Sequence, residues 1–214
     1  MKLVTLSGLD GSGKSTQIEL LKDYLGSQDK TFFYFHGPTS SISSLYNFLP
    51  IFSWKKYRKR DKNASVAKAK WIEIQLRKIA LLIDVCRFKR LMKKTDVDYI
   101  ISDRYFYDTV VNINFLSGKN KKLCVEKHIP RPDSAFFIRI RPEIIMHRDR
   151  KPDQGMEYLL AKEKLFESRI KGWDMLVVDG EKSKSEIFEF IRVKFERNGE
   201  IRGKGAYENV YGKN

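Results

Sequence analysis

The sequence predicts an α/β fold of three layers, in which helices cover both faces of a central five-stranded parallel sheet. Two observations predict it. Five short apolar runs, rich in β-branched and aromatic residues, recur along the chain, and helical patterns separate most of them. Continuously apolar strands that alternate with helices are typical of a parallel sheet that is buried on both faces.

The first strand and the first helix are predicted at the start of the chain. KLVTLS (2–7) is a short apolar run that suits a buried strand. KSTQIELLKDYLG (14–26) places Ile18, Leu21 and Leu25 on one helical face. A polar, glycine-containing segment joins the two, so the order is strand, loop and helix.

The remaining elements follow from the same patterns. Further strands are predicted at TFFYFHG (31–37), DYIISDRY (98–105), SAFFIRI (134–140) and DMLVVDG (174–180). Further helices are predicted at 67–94, 141–148, 155–173 and 185–197. The tail, 198–214, contains several glycines and has no clear period, so we expect it to be loosely ordered.

Length and composition favour one domain that spans residues 1–214, with an ordinary soluble balance of 42% hydrophobic and 32% charged residues. Cys86 and Cys124 are the only cysteines, and they are far apart in the sequence, which argues against a zinc site or a disulfide framework. No apolar run reaches membrane-spanning length, and the chain enters a strand at once. We therefore expect no membrane partner and a cytoplasmic location.

The net charge of +15 indicates that the preferred partners are anionic. The densest basic run, 55–62, is interleaved with aromatic residues, a composition that could bind nucleic acid. Charge runs are also common in solvated loops, and no nucleic-acid-binding fold pattern accompanies this one. We therefore favour a solvated basic loop and leave nucleic acid as an alternative.

The segment between the first strand and the first helix is a phosphate-binding motif. Its spacing fits G-x-x-x-x-G-K-[ST], the P-loop, in which backbone N–H groups surround a polyphosphate and the lysine reaches the outer phosphates. The fold is therefore expected to be the three-layer P-loop NTPase fold. The residues predicted to bind ATP are Gly8, Asp10, Gly11, Ser12, Gly13, Lys14, Ser15 and Thr16.

Two residues that end a later strand are predicted to belong to the same site, because ligands bind at the carboxyl ends of parallel strands. Asp103 and Arg104 close the run YIISDRY. Asp103 and Ser15 are the predicted magnesium residues, and Arg104 can hold an anionic substrate. The alternative is an ion pair that only closes the strand.

Together these residues resemble the thymidylate kinase family of nucleoside monophosphate kinases. The resemblance is carried by GLDGSGKSTQ, by LLIDVCRFKRL in the long helix, by ISDRY and by MLVVDG, and it spans most of the chain. It implies an enzyme that uses ATP and Mg²⁺ to phosphorylate dTMP or a related nucleoside monophosphate.

The resemblance also assigns roles to single residues. It implies that Asp10 contacts the acceptor sugar, that Arg87 holds the acceptor phosphate, and that Tyr105 flanks the sugar or base. Asp103 and Arg104 correspond to the acid on the magnesium side and its neighbouring arginine.

The segment 147–157 corresponds to the family's mobile lid, in a shortened form. The P-loop of this chain has Gly11 and Ser12 where one branch of the family has an arginine. We therefore expect Arg148 and Arg150 of the lid to supply the catalytic positive charge, together with Lys14 and Asp103 as the other catalytic residues. The alternative is that this segment is only a charged helix end.

The region predicted to bind the acceptor, about 36–90, departs from the family pattern. His36 begins HGPTS, where the family has an Arg-Glu-Pro segment, and Ile83 stands where the family stacks an aromatic ring on thymine. Ile83 is therefore expected to form an apolar wall that discriminates weakly among bases. Two alternatives stay open, a P-loop kinase with a different anionic small-molecule acceptor and an ATP-responsive nucleic-acid-binding protein. The oligomeric state is also open, with a homodimer as one alternative.

Overall fold

The computed structural model of the chain describes residues 1–37, 71–148 and 152–208. Five parallel strands form one sheet in the order β2-β3-β1-β4-β5. The strands are β1 (Lys2–Gly8), β2 (Phe32–His36), β3 (Tyr99–Asp103), β4 (Ser134–Arg139) and β5 (Leu176–Asp179). The predicted five-stranded parallel sheet is therefore confirmed, and the strand that precedes the P-loop lies at its centre.

Helices connect the strands and cover the sheet. The helices are α1 (Lys14–Ser27), α2 (Trp71–Lys94), α3 (Phe106–Ser117), α4 (Pro142–Met146), α5 (Gly155–Ile170) and α6 (Lys184–Glu208), with a 3₁₀ helix at Cys124–His128. None of the described helices is both long enough and apolar enough to cross a lipid bilayer.

The core has one part on each face of the sheet, because successive side chains of a strand point to opposite faces. Leu3 of β1 packs with apolar residues of α2, α3 and α5, which include Val85, Val110 and Phe166. Val4 and Leu6 pack on the other face, with Ile18, Leu21 and Leu25 of α1 and Ile187, Ile191 and Phe195 of α6. The helical face predicted for α1 is therefore the buried one, and the three layers are those expected.

In three regions the observed helices differ from the predictions. Residues 106–117 form α3, which the sequence patterns did not predict, and α4 covers only five residues of the expected 141–148. The predicted loose tail is wrong for its first part, because α6 continues to Glu208. The basic run at 55–62 and most of the expected acceptor region at 36–90 lie outside the described residues.

Candidate active site

The P-loop leads from the end of β1 into α1, and its lysine side chain contacts the backbone of the loop. Gly13 begins the helix with φ 92°, a left-handed backbone conformation that glycine adopts without a steric penalty. The ammonium group of Lys14 donates hydrogen bonds to the carbonyl oxygens of Gly8 (3.0 Å) and Leu9 (2.8 Å). The Lys14 side chain is therefore folded back over the loop, and the residue is only 5% exposed.

A buried carboxylate of α3 lies close to this lysine. Asp108 accepts a hydrogen bond of 2.6 Å from the hydroxyl group of Ser7, the residue that precedes the P-loop. Burial raises the pKa of Asp108 to about 6, although the positive charge of Lys14 and the Ser7 hydrogen bond act to lower it. Burial likewise lowers the pKa of Lys14, while the charge of Asp108 opposes that change. Lys14 and Asp108 are therefore two buried groups of opposite charge, and each charge favours the ionised form of the other.

Asp103 and Ser15 lie together, as the sequence predicts. The Ser15 hydroxyl is 3.3 Å from Oδ2 of Asp103, and Nδ1 of His36 lies 3.7 Å from the same oxygen. Among the described residues, Oδ1 of Asp103 is buried and accepts no hydrogen bond. A hydroxyl group and a carboxylate with a spare oxygen are ligands that suit Mg²⁺, which keeps several waters and binds phosphates as well. The donor set therefore fits this ion.

Asp10 of the P-loop is held by three side chains from two other elements. Nη2 of Arg104 lies 2.9 Å from its Oδ1, and the Tyr158 hydroxyl donates a hydrogen bond of 2.6 Å to its Oδ2. Lys162, one helical turn beyond Tyr158 on α5, lies 3.4 Å from Oδ2 and donates to the Tyr158 hydroxyl at 2.7 Å.

This network fixes the ionisation of Asp10. Burial would raise its pKa, but the charge of Lys162, the hydrogen bond from Tyr158, and the charges of Arg104 and Lys14 lower it to about 2. Asp10 is therefore a carboxylate at neutral pH. It presents acceptor oxygens at the mouth of the P-loop.

The backbone of Arg104 is in an unusual conformation. Its φ is 56°, a left-handed value that a residue with a long side chain rarely adopts. Gly37, at the end of the neighbouring β2, packs directly against this backbone, and a Cβ atom at Gly37 would lie 1.8 Å from the Arg104 carbonyl oxygen. Strain of this kind persists where the surrounding structure imposes it, and it is common at functional sites.

The first lid arginine reaches the P-loop. Nη1 of Arg148 donates a hydrogen bond of 2.6 Å to the carbonyl oxygen of Gly11. A cavity of about 320 Å³ lies at this point, and its described walls are Gly11, Gly13, Lys14, Ser15, Thr16, Arg104 and Arg148. Three of these side chains are cationic, so the cavity can hold an anion such as a polyphosphate.

Comparison with known proteins identifies relatives over nearly the whole chain, although no family model matches it. The chain is 24% identical over 194 residues to a probable thymidylate kinase of Saccharolobus solfataricus, which covers 88% of this chain and 93% of the relative. It is 24% identical over 212 residues to the thymidylate kinase of Schizosaccharomyces pombe, with 89% of each chain covered. The chain is a relative of the thymidylate kinases.

A solved thymidylate kinase structure, that of Candida albicans, has the same fold. The TM-score is 0.60, the sequence identity is 18%, and the match covers 92% of each chain. The Candida enzyme itself has a broad substrate specificity. The three-layer P-loop fold expected from the sequence is confirmed by this comparison.

The other residues to which the likeness to thymidylate kinases assigns roles lie in different parts of the chain. Arg87 is exposed on α2, and Ile83 is half-buried one helical turn before it. Arg150 lies outside the described residues. Tyr105 is 0% exposed, and its hydroxyl donates to the carbonyl oxygen of Pro130 at 2.7 Å, so its expected place beside the acceptor sugar or base stays a prediction. It holds two segments together in this structure and does not face the P-loop cavity.

Four residues of the site escaped the sequence analysis: Ser7, Asp108, Tyr158 and Lys162. Ser7 and Asp108 are polar residues in apolar runs, and buried polar groups of this kind require partners. Tyr158 and Lys162 are spaced i, i+4 and therefore share one face of α5. That spacing was visible in the sequence, but a helical lysine is ordinarily taken as exposed, and Lys162 is only 6% exposed.

Proposed function

We propose that the chain is an ATP- and Mg²⁺-dependent nucleoside monophosphate kinase that transfers the γ-phosphoryl group of ATP to dTMP. The observation that carries the proposal is the convergence of Lys14, Arg148, Asp10 and Arg104 on the mouth of one P-loop. Phosphoryl transfer depends mainly on positioning and on neutralising charge. This group of residues, in a relative of thymidylate kinases, supports that reaction.

The P-loop holds the donor nucleotide. Backbone N–H groups of residues 8–16 and the N-terminus of α1 bind the phosphates of ATP, and the α1 dipole favours their negative charge. Lys14 leaves the carbonyl oxygens of Gly8 and Leu9 and binds the outer phosphates instead. Asp108 stays beneath the loop and balances the charge of Lys14.

The lid arginine neutralises the group in transfer. Arg148 already reaches the carbonyl oxygen of Gly11, so a small movement of its side chain brings the guanidinium to a phosphate in the loop. Arg150 is the second candidate for this role. Closure of the lid also excludes water, which would otherwise accept the phosphoryl group.

The acceptor lies on the other side of the donor phosphates. Asp10 accepts a hydrogen bond from a sugar hydroxyl group, and Arg104 and Arg87 bind the acceptor phosphate. Arg104 is held at Asp10 by a contact of 2.9 Å, so the two residues present an acceptor and a donor side by side. Ile83 forms an apolar wall for the base and provides no stacking ring, so we propose that selection among bases is weak.

The Ser15 hydroxyl and Asp103 would hold Mg²⁺, which when bound would supply charge neutralisation at the donor phosphates. The two side chains lie 3.3 Å apart, so one ion can reach both. His36 adds an imidazole ring next to Asp103, where it bonds to the Tyr34 hydroxyl through Nδ1 at 3.1 Å.

The test is an ADP-release assay with a panel of acceptors: dTMP, dUMP, CMP, AMP, a non-nucleotide sugar phosphate and no acceptor. We expect turnover with dTMP and Mg²⁺ that EDTA abolishes, and lower but measurable turnover with other monophosphates. Lys14→Ala should lower kcat by about two powers of ten or more, because it removes a cation that acts on the transferred group. Lys164→Ala, an exposed lysine of α5, is the matched control.

The panel also separates the alternatives. Turnover with the sugar phosphate alone would indicate a P-loop kinase with a different anionic acceptor. Hydrolysis of ATP that no small acceptor stimulates would contradict the kinase proposal and favour an ATP-responsive binding protein. Exclusive activity with dTMP would support the kinase but contradict the proposed role of Ile83.

A further inference from the structure

A second cavity, of about 540 Å³, lies apart from the P-loop. None of the described residues that line it also lines the cavity at the P-loop. Its walls come from the first turn of α3, the 3₁₀ helix with its flanking segments, and the end of α5 with the turn that follows. A cavity of this volume is large enough for a small organic ligand.

The one carboxylate among the described lining residues is already neutralised. Glu126 accepts hydrogen bonds from the backbone N–H of Leu123 (2.6 Å) and from Nε1 of Trp173 (3.2 Å), and it forms an ion pair with Arg169 (3.3 Å). Its side chain is only 3% exposed. Glu126 therefore stabilises the wall of the cavity. Its negative charge is already balanced by Arg169, so it does not neutralise the other cations of the cavity.

Three other cations face the same cavity. They are Lys122, Lys127 and Arg131, and all three are exposed. Within the described part of the chain, none of them forms an ion pair or donates a side-chain hydrogen bond. Three like charges around one concave surface repel one another and produce a local positive potential. An anion bound between them would relieve that repulsion.

An aromatic pair forms the inner wall beside these cations. The rings of Tyr107 and Trp173 stack with centroids 4.5 Å apart and planes inclined by 7°. Tyr107 is 4% exposed, so this wall is anchored in the core. A fixed aromatic surface next to lysine and arginine side chains suits a ligand that carries both a phosphate group and a planar ring.

We propose that this cavity is a second binding site, for a small phosphorylated molecule of the nucleotide class. Lys122, Lys127 and Arg131 bind its phosphates, and Trp173 contacts its base. The first turn of α3 connects this cavity to the P-loop. Tyr107 lines the cavity, and the next residue, Asp108, accepts a hydrogen bond from Ser7, which precedes the P-loop. Its existence does not depend on the proposed kinase activity, since binding is measured without turnover.

The experiment uses the full chain with Lys14→Ala, which removes the phosphate-binding lysine of the P-loop. Trp54→Phe and Trp71→Phe leave Trp173 as the single tryptophan, since the sequence contains three. Inorganic triphosphate and ATP are titrated separately, with Trp173 emission and isothermal titration calorimetry as readouts. We expect a saturable change in emission with a stoichiometry of one.

The cavity variant is Lys127→Gln/Arg131→Gln in the same background. It should weaken binding by about tenfold or more, because charge-assisted hydrogen bonds are the strong ones. Lys93→Gln/Lys94→Gln, which removes two exposed cations of α2 outside the predicted acceptor region, is the matched control and should leave affinity unchanged. Circular dichroism verifies that each variant is folded, and calorimetry on Lys14→Ala alone replaces the emission readout if the tryptophan variants unfold.

The two probes distinguish the sources of affinity. Tighter binding of ATP than of triphosphate supports contact of the base with Trp173, whereas equal affinity supports a site for the phosphate groups alone. An unsaturable response, or equal weakening by the cavity variant and its control, would overturn the proposal. Either result would mean that phosphates associate with the +15 charge of the chain without a defined site.

Discussion

Asp108 and Asp10 face the same group of cations, but their pKa values move in opposite directions. Asp108 is buried beneath the P-loop, and burial dominates and raises its pKa to about 6. Asp10 is more open and is held by Arg104, Lys162 and Tyr158, so its pKa falls to about 2 despite partial burial. The two carboxylates therefore contribute to stability in separate ranges of pH.

For Asp108, the folded protein binds the proton more tightly than the unfolded chain does between about pH 4 and pH 6. The free energy of unfolding should therefore fall as the pH rises through this range. A pKa that rises from 3.8 to about 6 corresponds to a loss on the order of 3 kcal/mol. Asp108→Asn keeps an acceptor for Ser7 and should remove most of this slope.

The measurement is urea unfolding of the wild type and of Asp108→Asn at several pH values from 4 to 7.5. Asp96→Asn, at an exposed site outside this group, is the control and should retain the wild-type slope. An equal slope in Asp108→Asn and the wild type would show that Asp108 is not the titrating group.

For Asp10 the sign is reversed, because its stabilising contacts require the carboxylate. This contribution is fully present above about pH 4 and is lost as the pH falls toward 2. Lys162→Met removes the largest favourable charge and should move the pKa of Asp10 back toward 3.8, its ordinary value. A carboxyl-carbon NMR titration of Asp10 measures the shift. Lys164→Met should leave the titration unchanged, and the same result in Lys162→Met would contradict the assigned network.

At the scale of elements, the lid segment after α4 is joined to the P-loop by Arg148. We expect Arg148→Ala to lower kcat far more than it raises the KM for ATP, because the arginine acts mainly in the transition state. Loss of an arginine with this role lowers kcat by about three powers of ten or more. Steady-state kinetics with dTMP as acceptor measures both constants, and Arg148→Ala/Arg150→Ala measures the combined effect.

Arg141→Ala is the control for the lid variants, since Arg141 is exposed and its ion pair with Glu181 lies on the surface. A rise in the KM for ATP at constant kcat in Arg148→Ala would mean that Arg148 binds the ground-state phosphates only. In that case the catalytic cation is elsewhere, and Arg150 is the next candidate.

The elements that the sequence predicted well are those with a local signal. The P-loop has a fixed spacing, and α1 has an apolar face, so both follow from neighbouring residues. The helix α3 was missed because its sequence, FYDTVVNINFLS, is rich in β-branched and aromatic residues that ordinarily favour strands. Packing against α2 and α5 gives these residues a buried helical environment, which overrides the local preference.

The part of the candidate site that the sequence predicted also has a local signal. Lys14, Ser15, Asp103 and Arg104 lie at strand ends or in the motif, where sequence position indicates spatial position. The contact of Tyr158 with Asp10 joins residues 148 positions apart, and no local pattern encodes it. The extension of α6 through a glycine-containing segment was likewise not expected from helix propensity.

At the scale of the whole molecule, α2 has an unusual apolar surface. Trp71 (72% exposed), Ile72 (56%), Ile79 (53%) and Leu82 (42%) all lie on this helix. We propose that a second copy of the chain covers these side chains in a homodimer, since a cluster of exposed large apolar residues favours association. Ile79→Glu/Leu82→Glu should convert the dimer to a monomer in sedimentation velocity.

Leu160→Glu/Phe190→Glu is the matched control for the dimer, because it changes two apolar side chains of similar exposure on other helices. This control should sediment as the wild type does. A wild-type chain that sediments as a monomer at all concentrations would contradict the homodimer.

The central position of β1 has a consequence for the order of folding during synthesis. β1 leaves the ribosome before the other four strands of the described sheet, but its two neighbours in that sheet are β3 and β4, which end at Asp103 and Arg139. Until both have emerged, β1 has an unpaired edge, and unpaired apolar strands tend to associate with other chains. The nascent chain must therefore protect its phosphate-binding strand until β4 has been translated.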